Sequence, residues 1–267
     1  MIAQRLPASA GLRWIGQAFT IFRVAPVRQL VLDLGLLFSL SLLLSLPMAG
    51  FALVWLLAPA LLVGPHAIAR MAAQGRPPEP GLLAAGFRRD APAQLRLGAI
   101  YLGGMLLVVL ATVPADGGSF ARAMVGMAPL TLDALQEPGL QVAMLVGAGL
   151  QTLLLGALWY APLLVAWRRV APLKAVFFST AAVLINWRAF IAYSAGMLAL
   201  FTFVLMLAIA GSALLGGVRE GQGSIALFAV VWTLLPVWFA SSYLSYHDVF
   251  EAEPPRRNVE KDTGISS

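Results

Sequence analysis

Six long apolar stretches, at 30–46, 48–69, 95–113, 140–167, 189–215 and 224–246, constrain this chain more than anything else in it. Runs of this kind cross a hydrocarbon layer about 30 Å thick. Inside that layer no water reaches the backbone, so each stretch must satisfy its own N–H and C=O groups as a helix. Only 11% of the 267 residues are charged, against about 25% in soluble domains. The polar surface therefore has to fit into short loops and two tails. The expected fold class is all-α, a polytopic membrane bundle of six transmembrane helices.

Three of the stretches carry a common mark. Trp55 is followed by Pro59, Trp159 by Pro162 and Trp232 by Pro236. A proline inside a soluble helix costs about 3 kcal/mol. In a membrane helix it is tolerated, because neighbouring helices and hydroxyl side chains can serve the freed carbonyl. The marks fall on the second, fourth and sixth spans, which suggests three helical hairpins. Two alignments extend the pattern: the segment from Phe22 to Leu30 resembles that from Phe87 to Leu95, and Pro80, Tyr101, Gly104, Met105 and Leu106 match Pro172, Tyr193, Gly196, Met197 and Leu198 at one offset. The unit is an amphipathic cytoplasmic helix, a span going out and a proline-marked span returning, in parallel repeats. Chance similarity between leucine-rich helices is the alternative.

The chain divides into a cytoplasmic amphipathic segment (1–29), a six-helix domain (30–246) and a charged, largely disordered tail (247–267). In the first, Leu12, Ile15, Phe19 and Phe22 recur at helical spacing, and Trp14 beside arginines suits a helix at headgroup level. Pro26 ends it. The first apolar run follows four arginines and is followed at once by a second, unlike a cleavable leader. The segment 71–94 is a polar connection. Residues 120–127 suit a short helix at the opposite surface. Sixteen of the eighteen lysines and arginines fall on one side of a six-span topology, leaving only Arg122 and Arg219 on the other. The positive-inside bias places both termini in the cytoplasm. It also accounts for the formal charge of +6 without a nucleic-acid partner.

The arginine-rich amphipathic start, the Ala-Pro-Ala-Leu-Leu-Val-Gly run at Ala58 to Gly64 and Gly86-Phe87-Arg88-Arg89 resemble a family of uncharacterised proteobacterial inner-membrane proteins. The resemblance covers Leu6 to about Phe250. It implies a multi-pass protein of the bacterial inner membrane and carries over no reaction, ligand or functional residue.

Candidate sites are few. Asp33 is the only acid within a predicted span. Such an acid is a functional hypothesis, although here it can snorkel or pair with Arg28. His66 and His247 sit at cytoplasmic span ends without metal-ligand spacing, and a cationic histidine near a helix C-terminus is the favoured reading. Arg88, Arg89 and Arg96 form one basic cluster; Arg168, Arg169 and Lys174 form another. These clusters either set topology or bind anionic headgroups. The glycine-rich segment 216–223 lacks a P-loop lysine. Small residues at four-residue spacing, Ala99/Gly103 and Ala208/Ser212/Gly216, permit close helix approach. With no cysteine and no acid–base or metal cluster, no cofactor is expected and the protein reads as a non-enzyme. The expectation is a scaffold or assembly factor engaging anionic lipid, a protein partner or a second copy of itself. The alternative is a small transporter for a hydrophobic or lipid-like substrate, its path among the proline-marked helices.

Overall fold

Pro26 ends one helix and starts the next. Helix α1 (Ser9–Phe22) stops before it, and α2 (Pro26–Leu44) takes it into its first turn, where a missing N–H costs nothing. The computed structural model describes residues 3–46, 49–88, 90–131, 133–214 and 222–251. There follow α3 (Ala49–Ala73), a 3-10 turn (Pro80–Ala84), α4 (Ala85–Arg88), α5 (Ala91–Asp116) and α6 (Ser119–Met124). After a second 3-10 turn (Ala134–Gln136) come α7 (Pro138–Leu158), α8 (Ala161–Arg168), α9 (Pro172–Ile185), α10 (Trp187–Leu214) and α11 (Gln222–Phe250). No strand occurs among the described residues. Six segments are long and apolar enough to cross a membrane: α2, α3, α5, α7 with α8, α10 and α11.

Successive spans pack in pairs, α2 on α3, α5 on α7 and α10 on α11. α3 is central and also touches α8 and α11. α10 is marginal: 6% of its apolar window is buried, against 44% for α11, so most of its surface faces outward. The α3–α5 contact requires glycine. A Cβ on Gly98 would overlap the Leu56 carbonyl, whereas one on Gly103 would meet nothing. The close approach therefore uses Gly98 rather than the Ala99/Gly103 pair that spacing alone suggests. Gly216 of the other small-residue series, most of the turn around it and the tail beyond Glu251 lie outside the described residues.

Two connections differ from their sequence expectation. The polar connection after α3 does not simply cap the bundle. Its Pro80–Arg88 part folds back along α3, where Gly64 leaves room for the Leu83 backbone and Gly86 rests on the Ala60 carbonyl. Ala60 lies about 20 Å back from Ala73 at 1.5 Å per residue. Helix α1 is amphipathic as its spacing predicts, but α10 and α11 cover its apolar face. Trp14 is fully buried in protein rather than open to lipid headgroups. Its ring stands edge-on to Phe190 and Tyr193, and its indole N–H donates to Asp248 at 2.9 Å.

The fourth span breaks at Trp159-Tyr160, just before Pro162. Proline lacks the N–H that would serve the Leu158 carbonyl, and Tyr101 Oη donates to that carbonyl instead, at 2.9 Å. Tyr160 N–H donates to Ser179 Oγ at 2.9 Å, Thr180 Oγ1 to the Ala157 carbonyl at 3.3 Å and Gln94 Nε2 to the Pro162 carbonyl at 3.0 Å. Side chains from α5 and α9 thus serve the backbone groups around the break. A large part of the core, including Leu97, Tyr101, Leu158, Tyr160, Leu164 and Tyr246, packs around this break.

Both ends of the described chain meet at one end of the bundle, hereafter the terminal end. Gln4 N–H donates to the Val249 carbonyl at 3.0 Å. Asn186, between α9 and α10, accepts from Leu6 N–H at 2.8 Å and donates to the Gln4 carbonyl at 2.9 Å. Gln29 donates to the carbonyls of Ile21, Phe22 and Ala25, closing the C-terminus of α1.

Candidate functional site

At the terminal end, Arg88, Asp90, Ala166, Trp167 and Arg169 line a cleft of about 700 Å³. Arg88 ends α4 and Arg169 follows α8, so one arginine from each basic cluster reaches the same space. Local backbone chemistry sets this placement. Asp90 caps α5 and accepts from Ala93 N–H at 3.3 Å, with φ of 73°. Arg169 ends α8 with φ of 52°. These are the two non-glycine residues with positive φ among the described residues. A left-handed conformation costs a side-chain-bearing residue roughly 1–2 kcal/mol, and asparagine and aspartate tolerate it best. Both exceptional backbones thus border one cleft, as strained residues at functional sites often do. Neither the Arg88 nor the Arg169 guanidinium has an ion-pair or hydrogen-bond partner among the described residues.

Trp167 lines both this cleft and a second cavity. The second is a groove of about 380 Å³ along α3, lined by Val63, Ala67, Arg70, Met71, Gln74, Leu82, Ala85 and Trp167. The Trp167 ring is held edge-on by Tyr243 and Tyr246, and the Arg70 guanidinium lies 4.9 Å from its centroid. Arg70 also faces Glu251 at 3.8 Å, so its charge is already engaged.

The other predicted residues lie apart from the cleft. Arg168 donates to the Phe250 carbonyl at 3.0 Å. Arg96 and Lys174 are exposed on α5 and α9 and do not line it. Arg89 lies outside the described residues. Asp33 is buried on α2 without a hydrogen bond or ion pair among the described residues; Arg28 donates to the Pro78 carbonyl at 3.4 Å rather than reaching it.

His66 does not sit at a helix end. It is buried within α3, with Nδ1 2.7 Å from the Leu62 carbonyl and Nε2 2.9 Å from Ser242 Oγ. A carbonyl only accepts, so Nδ1 carries a proton, and Nε2 pairs with the serine hydroxyl. The ring bolts α3 to α11.

The proline-marked elements touch one another: α3 meets α8 and α11, and Trp167 of α8 meets Tyr246 of α11. Their tryptophans have separate tasks. Trp55 packs edge-on to Phe51. Trp159 stands against Phe190, Tyr193 and Trp238. Trp232 donates to the Leu30 carbonyl at 2.8 Å. Pro59 and Pro236 lie inside continuous helices, while Pro162 begins one.

Sequence reasoning missed the polar groups that lock this end together. Ser241, Ser242 and Ser245 are buried on α11; Ser241 pairs with Tyr193 at 2.9 Å, Ser242 with His66 and Ser245 with the Trp159 indole at 3.4 Å. Three serines within five residues of an otherwise apolar helix were the available signal. Among the described residues, no group of three histidines or acids is placed to hold a metal.

Six helices of spanning length with a basic cleft at one end define a polytopic helical membrane protein. No family model matches the chain, and no solved structure does. A protein of Burkholderia thailandensis named as a probable inner membrane protein is 31% identical over 259 residues, covering 93% of each chain. The chain belongs to that family and is an inner-membrane protein.

Proposed function

We propose that the protein is a non-enzymatic membrane scaffold or assembly factor that engages anionic lipid through its basic terminal end. In this reading it is built as three hairpin units, and the terminal end faces the cytoplasm. The observation that supports it is the convergence of Arg88 and Arg169, from separate clusters and without partners among the described residues, on one open cleft. With Asp90 the described lining carries a net single positive charge, which one phosphodiester would neutralise. An acidic segment of a protein partner would compete for the same arginines.

The test is Arg88→Glu with Arg169→Glu. Each basic residue near a membrane surface is worth about 1 kcal/mol, so losing two should weaken retention of phosphatidylglycerol or cardiolipin about thirtyfold, and reversing the charges further. Native mass spectrometry of the purified protein reads this out. Reporters active only outside the cytoplasm should be active when fused after Gly118 or Gln222 and silent after Gln74, Pro172 or Arg257. Equal lipid retention by wild type and double variant would reduce the clusters to topology signals.

One observation favours the transporter as a second reading. A cavity of about 310 Å³ is bounded by all three proline-marked spans, through Trp55 and Ala58, Leu155, and Leu235 and Trp238. The surface it presents is apolar, and the Tyr101 hydroxyl at its edge is committed to the Leu158 carbonyl. A hydrocarbon substrate fits such a space and an ion does not.

A further inference from the structure

We infer that the basic cleft and the groove beside it are one site, which holds a single glycerophospholipid. The phosphodiester lies between Arg88 and Arg169, and one acyl chain runs past Trp167 along α3. This rests on the lipid-binding reading above and goes beyond it: sixteen basic residues can attract a diffuse layer of lipid, whereas this site takes one molecule in a fixed pose.

Three observations support the pose. First, cleft and groove share Trp167. An indole at the border between charged and apolar surface is the arrangement tryptophan adopts at headgroup level. Second, the groove runs from Gln74 at the terminal end to Val63 near the middle of α3. That is about 16 Å at 1.5 Å per residue, close to the roughly 15 Å that is half of a 30 Å hydrocarbon core. A chain entering beside Trp167 would therefore point toward the midplane, as a lipid of that leaflet does. Ala67 from α3 and Ala85 from α4 keep the groove open where larger residues would fill it. Third, the charges are divided. Arg70, at the groove, is engaged by the Trp167 ring and Glu251, which leaves the phosphate to Arg88 and Arg169, neither of which has a partner among the described residues.

The full-length protein is purified in mild detergent, stripped of lipid and titrated with dioleoyl-phosphatidylglycerol under native mass spectrometry. One lipid per chain should be retained ahead of any further binding. Ala67→Leu with Ala85→Leu fills the groove and should weaken that first binding about tenfold or more, the scale of overpacking a filled site. An unchanged melting temperature shows that this variant is folded. A second arm needs no variant: lysophosphatidylglycerol, with one chain, should displace the bound lipid, and tail-less glycerophosphoglycerol or inorganic phosphate at the same concentration should not. Retention unchanged by the groove variant, displacement by the tail-less headgroup, or several lipids binding with no distinct first one would each overturn the single-lipid site while leaving charge attraction standing. Retention unchanged by Arg88→Glu with Arg169→Glu would overturn both.

Discussion

Tyr101→Phe removes one oxygen atom and should destabilise the whole bundle. Tyr101 is 2% exposed, and its hydroxyl donates to the Leu158 carbonyl at 2.9 Å. That carbonyl lacks a helical donor because residue 162 is proline. Leu158 is itself 2% exposed, so water is not on hand as a substitute. Leaving a buried acceptor unmade costs about 1–3 kcal/mol. At about 2–4 °C per kcal/mol for a chain of this size, a loss near 2 kcal/mol lowers the melting temperature by roughly 4–8 °C. The assay is thermal unfolding in mild detergent, followed by tryptophan fluorescence with Trp159 and Trp167 flanking the break. A double-mutant cycle separates this hydrogen bond from general packing. Pro162→Ala restores an N–H one turn after Leu158, so Tyr101→Phe should cost less in that background, with a coupling of about 1 kcal/mol. A Tyr101→Phe protein that melts like wild type, or a cost identical in both backgrounds, would refute the claim that tyrosine stands in for the missing proline N–H.

Three further substitutions probe the packing. Asn186→Ala removes the side chain that holds Gln4 and Leu6; trypsin cleavage after Arg5 should accelerate at least about tenfold, since local opening sets the rate, and an unchanged cleavage rate would mean that the segment is held elsewhere. Gly98→Ala forces a Cβ into the Leu56 carbonyl and should cost about 3 kcal/mol or more as overpacking against backbone, whereas Gly103→Ala, on the same helix with open space around it, should change the melting temperature little; equal effects would place the α3–α5 contact elsewhere.

Length and hydropathy are local properties, and they made the six helices legible in the chain. A run such as 95–113 needs no partner to be recognised, because the hydrocarbon layer demands internal hydrogen bonding of any segment that crosses it. Pro26 and Pro162 likewise marked where helices stop or break, since a missing N–H acts within one turn. The amphipathic face of α1 was visible too, but its covering was not: lipid and the faces of α10 and α11 are equally apolar, so Trp14 alone cannot show which of them it meets. The folding back of Pro80–Arg88 was hidden for a similar reason. Its prolines and charges read as a surface loop, while the small residues that admit it, Gly64 and Ala60, belong to a different helix. The same holds for Tyr101 with Leu158, His66 with Ser242, and Arg88 with Arg169. Each is a pair distant in sequence, and its members meet only when tertiary packing brings two elements to one hydrogen bond or one cleft. The sequence by itself determined that this chain crosses a membrane as helices and which ends of them are basic. Only the tertiary structure decided which polar groups are consumed in holding those helices together, and that Arg88 and Arg169, from separate clusters, line one cleft.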